Sequence, residues 1–252
     1  MAGSISFRDV SKRYRLLHQK PFLAKELLSR LLRRGEQSSY YWALRDLSFE
    51  LGAGGSLGVI GVNGSGKSTL LSLIARTSYP TSGEVEVQGR VGPLLELGAG
   101  FHHDLTGFEN VYLNAALLGL SAREVDARLD SIVEYAELGE FIQSPIKTYS
   151  TGMKARLGFA VIAHAEPDVL LIDEALSVGD GRFQAKCEAT MEKLRGDGRT
   201  LVVVSHAMES VRRLCAHCLW IDDGRVVHFG PTEEVLPAYS EFLTTGVLPE
   251  PG

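Results

Sequence analysis

Residues 56–69 have the sequence SLGVIGVNGSGKST, in which an apolar segment is followed by a glycine-rich turn. The turn fits the pattern G-x-x-x-x-G-K-[ST], whose glycines let backbone N–H groups surround phosphate oxygens without a Cβ clash. The lysine adds positive charge beside the phosphates, and the next hydroxyl is suited to Mg²⁺. Because the motif follows an apolar strand and begins a predicted helix at about 67–77, it predicts a nucleotide-phosphate site. The residues assigned to phosphate binding are Gly61, Asn63, Gly64, Ser65, Gly66, Lys67, Ser68 and Thr69.

Apolar segments that end in polar residues recur along the chain and predict a parallel α/β core. DVLLIDE (168–174) is a continuous apolar run ending in acids, as a buried parallel strand should be, and TLVVVSH (200–206) repeats this design. In such sheets, ligands bind at the carboxyl ends of the strands. The other predicted elements are strands at 4–9 and 43–51, a hairpin strand pair at 82–91, a mostly helical region at 105–163 and a hairpin at 218–230.

The acids and the histidine at these strand ends are suited to phosphoryl transfer. Of the adjacent Asp173 and Glu174, one can hold Mg²⁺ through its water shell while the other orients the attacking water. His206 ends the neighbouring strand, which directs it toward the γ-phosphate. A solvated strand end and a structural histidine are the alternatives to these roles. The predicted catalytic residues are Glu174, His206 and Lys67, and the predicted metal ligands include Ser68 and Asp173.

A second glycine-containing turn occurs in YSTGMKARLGFA (149–160), ahead of the acidic strand. This segment resembles the signature of ABC transporter ATPases, whose usual form is LSGGQ; Ser150 and Gly152 match, whereas Thr151 and Met153 depart. The resemblance implies an anion site at a helix N-terminus, formed by Ser150, Thr151 and Gly152, that faces ATP held by another copy of the chain. The implied assembly is a homodimer with two MgATP molecules bound head to tail between the cassettes.

Further matches to this family occur in the same order and cover about residues 4–235. Asp180, in DEALSVGD (173–180), occupies the position of the family's D-loop aspartate, and His206 matches its switch histidine. Tyr14 stands where the family often has an aromatic residue that stacks on adenine, and Trp42 is an alternative. Glu96 is the best match to the Q-loop glutamine, because residues 94–113 contain no Gln, and a carboxylate there could accept from metal-bound water.

The sequence departs from the common pattern of the family in three features. In these features it resembles the ATPases that export lipid-linked polysaccharides such as O-antigen, capsule or teichoic acid. The features are the YSTGMKARL signature, the ELGAGF string in place of a glutamine loop, and a basic insertion at about 15–41. The resemblance implies transmembrane permease subunits as partners, a lipid-linked glycan as substrate and a peripheral location on the cytoplasmic face of the membrane. An ATPase of a lipid, peptide or drug exporter, and an ABC ATPase without a membrane partner, are the alternatives.

The resemblance also implies the fold: a P-loop NTPase (RecA-like) parallel-sheet core with an antiparallel β subdomain and a helical subdomain inserted at about 97–163. We expect one domain at 1–240 and a C-terminal tail at 241–252, of which residues 244–252 are expected to be loose. Some polysaccharide exporters carry a carbohydrate-binding domain after the cassette, and a chain that ends near residue 252 is not expected to contain one. Within the insertion, residues 22–34 predict a basic amphipathic helix, either solvated on the cassette or facing anionic headgroups or a pyrophosphate.

The whole-chain composition excludes several other classes of protein. The formal net charge of −5 argues against nucleic acid as a partner. The first residues lack the apolar core of a signal peptide, and the sequence has no run of about 18 apolar residues that could span a bilayer. Cys215 and Cys218 form a CxxC pair, but a structural zinc site needs four ligands, so we expect buried thiols.

Overall fold

The computed structural model describes residues 3–16, 39–94, 100–173, 181–205 and 207–249. These residues form two sheets and a helical lobe. The predicted basic helix at 22–34 falls outside the described residues, as does most of the insertion at about 15–41. None of the described helices has the length and apolar character needed to cross a membrane.

The smaller sheet is antiparallel and contains the first strand of the chain at its centre. Its strands are β1 (Ile5–Arg15), β2 (Tyr40–Leu51) and β4 (Ser82–Val87), in the order β2-β1-β4. Apolar residues on its inner face are buried. Among them, the rings of Phe7 and Phe49 stack with their centroids 4.7 Å apart. This face packs on the larger sheet and on the helix after β3, so the small sheet is fixed beside the glycine-rich turn.

The larger sheet is mostly parallel. Its order is β5-β6-β7-β3-β8-β9, and the final pair, β8 and β9, is antiparallel. Every residue of β3, β6 and β7 is buried, as expected for central strands covered on both faces. The strands are β3 (Ser56–Ile60), β5 (Val91–Leu94), β6 (Val169–Ile172), β7 (Thr200–Val204), β8 (His217–Asp222) and β9 (Arg225–Pro231).

The predicted hairpin at 82–91 is wrong. β4 pairs with β1 in the small sheet, whereas β5 pairs in parallel with β6 in the large one. The chain passes from one sheet to the other at Gly89, which has a φ of 90°, and the Asp168 carboxylate accepts a hydrogen bond from the Arg90 amide at 2.8 Å. Pro93 lacks an amide proton, which suits β5 to the edge of the sheet.

The described part of the chain contains eight α-helices, which are interspersed with the strands. The helix after β3 begins at Lys67 as predicted but ends at Ile74, earlier than residue 77. The last helix continues through Thr245, so Thr244 and Thr245, which the sequence predicts to be loose, are helical. The helices are α1 (Lys67–Ile74), α2 (Gly107–Leu117), α3 (Ala122–Asp126), α4 (Leu129–Ala136), α5 (Thr151–Ala165), α6 (Gly181–Gly196), α7 (Met208–Leu214) and α8 (Thr232–Thr245).

Helices α2–α5 form the helical lobe, which has a hydrophobic core of its own. Capping boxes begin two of its helices: Thr106 and Glu109 bond each other's backbone amides at the start of α2, and Ser121 and Glu124 do so at α3. The lobe therefore folds around its own core instead of extending the core of the sheet.

One polar cluster fastens this lobe to the sheet core. The Lys186 ammonium on α6 donates to the backbone oxygen of Tyr135 at 3.0 Å and to the Glu137 carboxylate at 2.7 Å. The Tyr135 hydroxyl lies 2.7 Å from the Thr190 hydroxyl, and the Lys186 ammonium lies 4.2 Å from the centroid of the Tyr135 ring. These contacts join α4 to the helix that follows the acidic strand.

The cysteines are buried in the core, as predicted. All are free thiols, and Cys215 and Cys218 pack with α7, α8 and the large sheet. Burial raises the pKa of the Cys187 and Cys218 thiols to about 12 and raises the pKa of Cys215 as well. These thiols are therefore small apolar core groups at neutral pH.

Candidate nucleotide-binding site

The glycine-rich turn connects the end of β3 to the start of α1. Gly61 and Gly66 have φ angles of 149° and 115°, a region that residues with a Cβ rarely adopt. A Cβ on Gly66 would lie 2.6 Å from the Ala43 carbonyl oxygen, and one on Gly61 would overlap the backbone oxygen of Ile221. The turn is therefore pressed against β2 and β8, and only glycine fits at these two places.

Lys67 extends back into the turn that precedes it. Its ammonium donates to the backbone oxygens of Gly61 at 2.7 Å and Val62 at 2.9 Å, and the residue is 8% exposed. The first N–H groups of a helix have no intrahelical acceptor, and Gly66 has no side chain with which to cap them. Positive charge and unsatisfied amides thus converge at the N-terminus of α1, as an anion site requires.

A cavity of about 340 Å³ opens over this helix start. Asp173, directly after β6, brings a carboxylate to the same cavity as the Lys67 ammonium and the Ser68 hydroxyl. These groups follow β3 and β6, which are separated by β7, and they lie at the carboxyl edge of the sheet, where ligands of parallel sheets bind. The cavity is lined by Tyr41, Ala43, Asn63, Gly64, Gly66, Lys67, Ser68, Thr69, Asp173 and Val204.

Two residues assigned to phosphate binding do not line this cavity. Gly61 instead supplies a carbonyl acceptor to Lys67. Ser65 is 2% exposed, and its hydroxyl has no hydrogen-bond partner among the described residues. Its carbonyl accepts the Gly224 amide at 3.0 Å, which ties the loop to the β8–β9 turn. Both residues therefore stabilise the conformation of the loop and do not face the cavity.

The aromatic residue at the cavity is Tyr41, which sequence reasoning missed. Its hydroxyl donates to the Gly64 carbonyl at 3.2 Å. Tyr14, predicted for adenine stacking, lies directly opposite Tyr41 in the β1–β2 register but is not a lining residue. Trp42, the alternative, is on the opposite face of β2, where its ring centroid lies 5.3 Å from the Arg13 guanidinium carbon.

The predicted signature turn begins a helix, in the helical lobe. Ser150 is the N-cap of α5, and its hydroxyl accepts the Met153 amide at 3.2 Å. Ser150 and Thr151 are exposed, and neither they nor Gly152 line the cavity of their own chain. The turn is thus a second helix N-terminus, open to solvent.

Four predicted site residues lie outside the part of the chain that the structure describes. They are Glu96, Glu174, Asp180 and His206, and their assigned roles stay predictions from the sequence. The described neighbours bracket them closely, since Asp173 precedes Glu174 and Ser205 precedes His206.

Comparison with known proteins agrees with this arrangement of loop, acid and signature. The sequence pattern of the ABC transporter family matches residues 44–177, from β2 through the acidic strand. This chain belongs to the ABC transporter family. As a member of this family the chain binds and hydrolyses ATP, and the cavity over α1 is the candidate place for the nucleotide.

Curated members of the ABC transporter family match nearly the whole chain. The O-antigen export system ATP-binding protein RfbB of Klebsiella pneumoniae is 46% identical over 245 residues, which are 96% of this chain and 100% of the relative. The teichoic acids export ATP-binding protein TagH of Bacillus anthracis is 39% identical over 96% of this chain, which spans 43% of that longer protein. The similarity thus covers the whole cassette.

Solved ABC cassettes share the fold at low sequence identity. A dimeric structure of the ATP-binding cassette MJ0796 bound to ADP and Pi has a TM-score of 0.71 and 24% identity, covering 90% of this chain and 98% of that one. An ATP-binding subunit of an ABC transporter has a TM-score of 0.73 and 21% identity, covering 97% and 95%. The predicted fold class is confirmed.

Proposed function

We propose that this chain is the ATP-hydrolysing subunit of an exporter that moves lipid-linked polysaccharide of the O-antigen type across the cytoplasmic membrane. The observation that carries the proposal is 46% identity to an O-antigen export ATP-binding protein, over 96% of this chain. The described ATP site has the positive charge, the free amides and the acid that phosphoryl transfer needs. The expected partners are transmembrane permease subunits, with the cassettes on the cytoplasmic face.

The site is suited to MgATP. The uncapped start of α1 and the buried Lys67 ammonium favour the triphosphate, and glycine leaves no Cβ in its way. The Ser68 hydroxyl and the Asp173 carboxylate are hard oxygen ligands that share the cavity, and they would hold Mg²⁺ directly or through water. Mg²⁺, when bound, neutralises phosphate charge. Glu174 follows the Asp173 ligand and would orient the attacking water.

A second copy of the chain completes the site in this proposal. The signature turn at Ser150 lies in a separate lobe and outside its own chain's cavity, so this exposed helix N-terminus is accessible to another molecule. In a head-to-tail pair, Ser150 and the N–H groups that follow it in each copy would face the γ-phosphate held by Lys67 of the other. Closure of two cassettes on two ATP molecules would then move the permease subunits.

Size-exclusion chromatography with ATP tests the ATPase part of this proposal. We expect Glu174→Gln to accumulate as an ATP-bound dimer, because the water is no longer activated, while Lys67→Ala binds nucleotide poorly and stays a monomer. A Glu174→Gln variant that binds ATP tightly and remains monomeric at high protein concentration would contradict the shared site.

Reconstitution with the permease tests the substrate. The chain and its co-purified permease, in vesicles that contain lipid-linked O-antigen, should translocate the glycan in an ATP-dependent way. The matched control is the same complex carrying Lys67→Ala. Equal ATPase stimulation by a simple phospholipid or a peptide, without glycan transport, would favour the alternative exporter classes.

A further inference from the structure

Asn110, on the first turn of α2, is a fully buried polar residue with a hydrogen-bonded side chain. Its side-chain oxygen accepts the His102 amide at 2.7 Å. Its side-chain nitrogen lies within hydrogen-bond distance of the backbone oxygens of His102, Leu105 and Thr106, at 3.1, 3.2 and 2.8 Å. A buried amide with these partners fixes one backbone conformation, here that of the loop at 102–106.

This loop in turn holds the segment that leads to the signature. The amides of Ile146 and Lys147 donate to the backbone oxygens of Leu105 and His103, at 2.9 and 3.0 Å. The Lys147 ammonium also donates to the Asp104 carboxylate at 3.0 Å, which lowers the pKa of that acid. The two segments therefore form one unit that ends directly before the signature turn.

Tyr149 is the last link before Ser150. It is 6% exposed, and its hydroxyl donates to the Phe141 carbonyl at 2.6 Å. The hydroxyl also lies against Gly107, where a Cβ would overlap it. Tyr149 is thus held by the start of α2 and by the short helix at Gly139–Gln143. The next residue, Ser150, is the N-cap that directs the amides of α5.

We propose that Asn110 and Tyr149 are positioning residues for the signature turn, fixing the direction in which Ser150 and the first amides of α5 meet the γ-phosphate held by a second copy. The inference rests on the shared site proposed above and adds the residues that set its geometry. An N-cap side chain binds only within a narrow range of backbone angles, so a shift of Tyr149 displaces both the serine and the amides.

The position of these residues separates this role from nucleotide binding. Tyr149 belongs to the core of the helical lobe, whereas Gly61 and Gly66 of the phosphate loop lie against Ile221 of β8 and Ala43 of β2. Loss of the Tyr149 hydroxyl should therefore leave ATP binding by a single chain unchanged and weaken only steps that need the signature. A residue that served general folding would affect both through loss of the folded state.

The test uses full-length chain carrying Glu174→Gln as the parent, with Tyr149→Phe added. Phenylalanine keeps the buried ring and removes one hydrogen bond, and a symmetric dimer contains two such turns, so we expect the dimer dissociation constant with MgATP to rise about tenfold. The ATP affinity of the dilute monomer should stay within about twofold of the parent. In the otherwise wild-type chain, Tyr149→Phe should lower kcat more than it raises KM.

Tyr112→Phe is the matched control. Its hydroxyl donates to the Asp126 carboxylate at 2.6 Å in the same lobe, away from the signature segment. We expect the Tyr112→Phe variant of the Glu174→Gln parent to dimerise with the same dissociation constant as the parent. Asn110→Ala serves as a second variant, read only if its thermal unfolding shows a folded lobe, and it should weaken the dimer at least as much as Tyr149→Phe.

Equal dimerisation of the Tyr149→Phe variant and its parent would overturn the inference. So would an equal weakening by Tyr112→Phe, since that would indicate general loss of stability. Failure of the parent itself to dimerise would refute the shared site and, with it, the role given to Tyr149; this outcome is distinguished by the parent alone.

Discussion

The hydroxyl of Tyr41 donates to the backbone oxygen of Gly64 at 3.2 Å, and both residues line the cavity over α1. The bond joins the start of β2 to the glycine-rich loop that is proposed to hold the phosphates. Tyr41 is 45% exposed, so part of its side chain is accessible to a ligand. The same residue thus anchors the small sheet to the loop and offers an aromatic surface beside it.

Tyr41→Ala should weaken ATP binding. Stacking of a base on an aromatic side chain contributes about 1–3 kcal/mol, so we expect the dissociation constant for ATP to rise about tenfold or more. Tyr41→Phe should keep most of the affinity, because the ring remains. Titration of a fluorescent ATP analogue against each variant measures the effect.

Tyr14→Ala and Trp42→Ala are the comparisons for this prediction. Trp42 lies on the other face of β2 under the Arg13 guanidinium, so its removal should change affinity little. Tyr14 shares a face with Tyr41 but lines no part of the cavity. A larger loss in Tyr14→Ala than in Tyr41→Ala would restore the prediction made from the sequence.

The helical lobe should lose stability in acid. Glu109 and Glu124 have a lowered pKa because they accept hydrogen bonds from the backbone amides and hydroxyls of Thr106 and Ser121. A carboxylate with a folded pKa below its ordinary value of 4.5 stabilises the fold above that pH, and its contribution is lost as the pH falls through the folded pKa.

Urea unfolding between about pH 5 and pH 3 measures this loss. Glu109→Gln provides the comparison, since an amide oxygen still accepts the Thr106 amide and does not titrate. Its unfolding free energy should be lower at neutral pH and should change less across the window than that of wild type. Identical slopes for the two chains would show that the capping carboxylate does not titrate in this range.

The thiols should be inert in the folded chain. All the cysteines are buried, and burial raises the pKa of Cys187 and Cys218 to about 12, so little thiolate forms at neutral pH. Iodoacetamide followed by mass spectrometry should label none of them in native buffer and all of them in urea. Rapid native labelling at Cys215 or Cys218 would show that the β8 region opens readily.

Features of the fold with a local sequence signal were predicted, and features that depend on long-range pairing were not. The phosphate loop, the signature helix and the buried strands were predictable because glycine spacing, a capping serine and continuous apolar runs are local signals. β5 was missed because four residues containing Pro93 carry no strand periodicity, and their pairing with β6 is a long-range fact. The end of α8 was missed because Thr244 and Thr245 favour helix only weakly.

The position of Tyr41 shows that strand register could not be predicted from the sequence. Which of Tyr14, Tyr41 and Trp42 faces the ATP cavity depends on the register of β1 against β2, and this register shifts twice between Val10 and Arg13. Each shift changes the face on which later side chains lie. No local pattern in the sequence fixes where such shifts occur, so the aromatic residue at the cavity could be found only from the structure.

Two differently defective chains should restore activity to each other if the ATP site is shared. Lys67→Ala removes the positive charge that would bind the phosphates, and Ser150→Ala removes the side-chain cap of the signature helix. Each variant alone should therefore be inactive. In a mixed dimer, one site combines both defects, while the other combines the intact Lys67 of one copy with the intact Ser150 of its partner.

An equal mixture of the two purified chains should therefore recover about a quarter of wild-type ATPase activity, because half of the randomly assembled dimers are mixed and each has one intact site. The control is each variant alone at the same total concentration. If both residues acted within one chain, every site in the mixture would be defective and no activity would return. A mixture as inactive as its components, with mixed dimers shown by mass spectrometry, would therefore indicate that Lys67 and Ser150 act within one chain and not in a shared site.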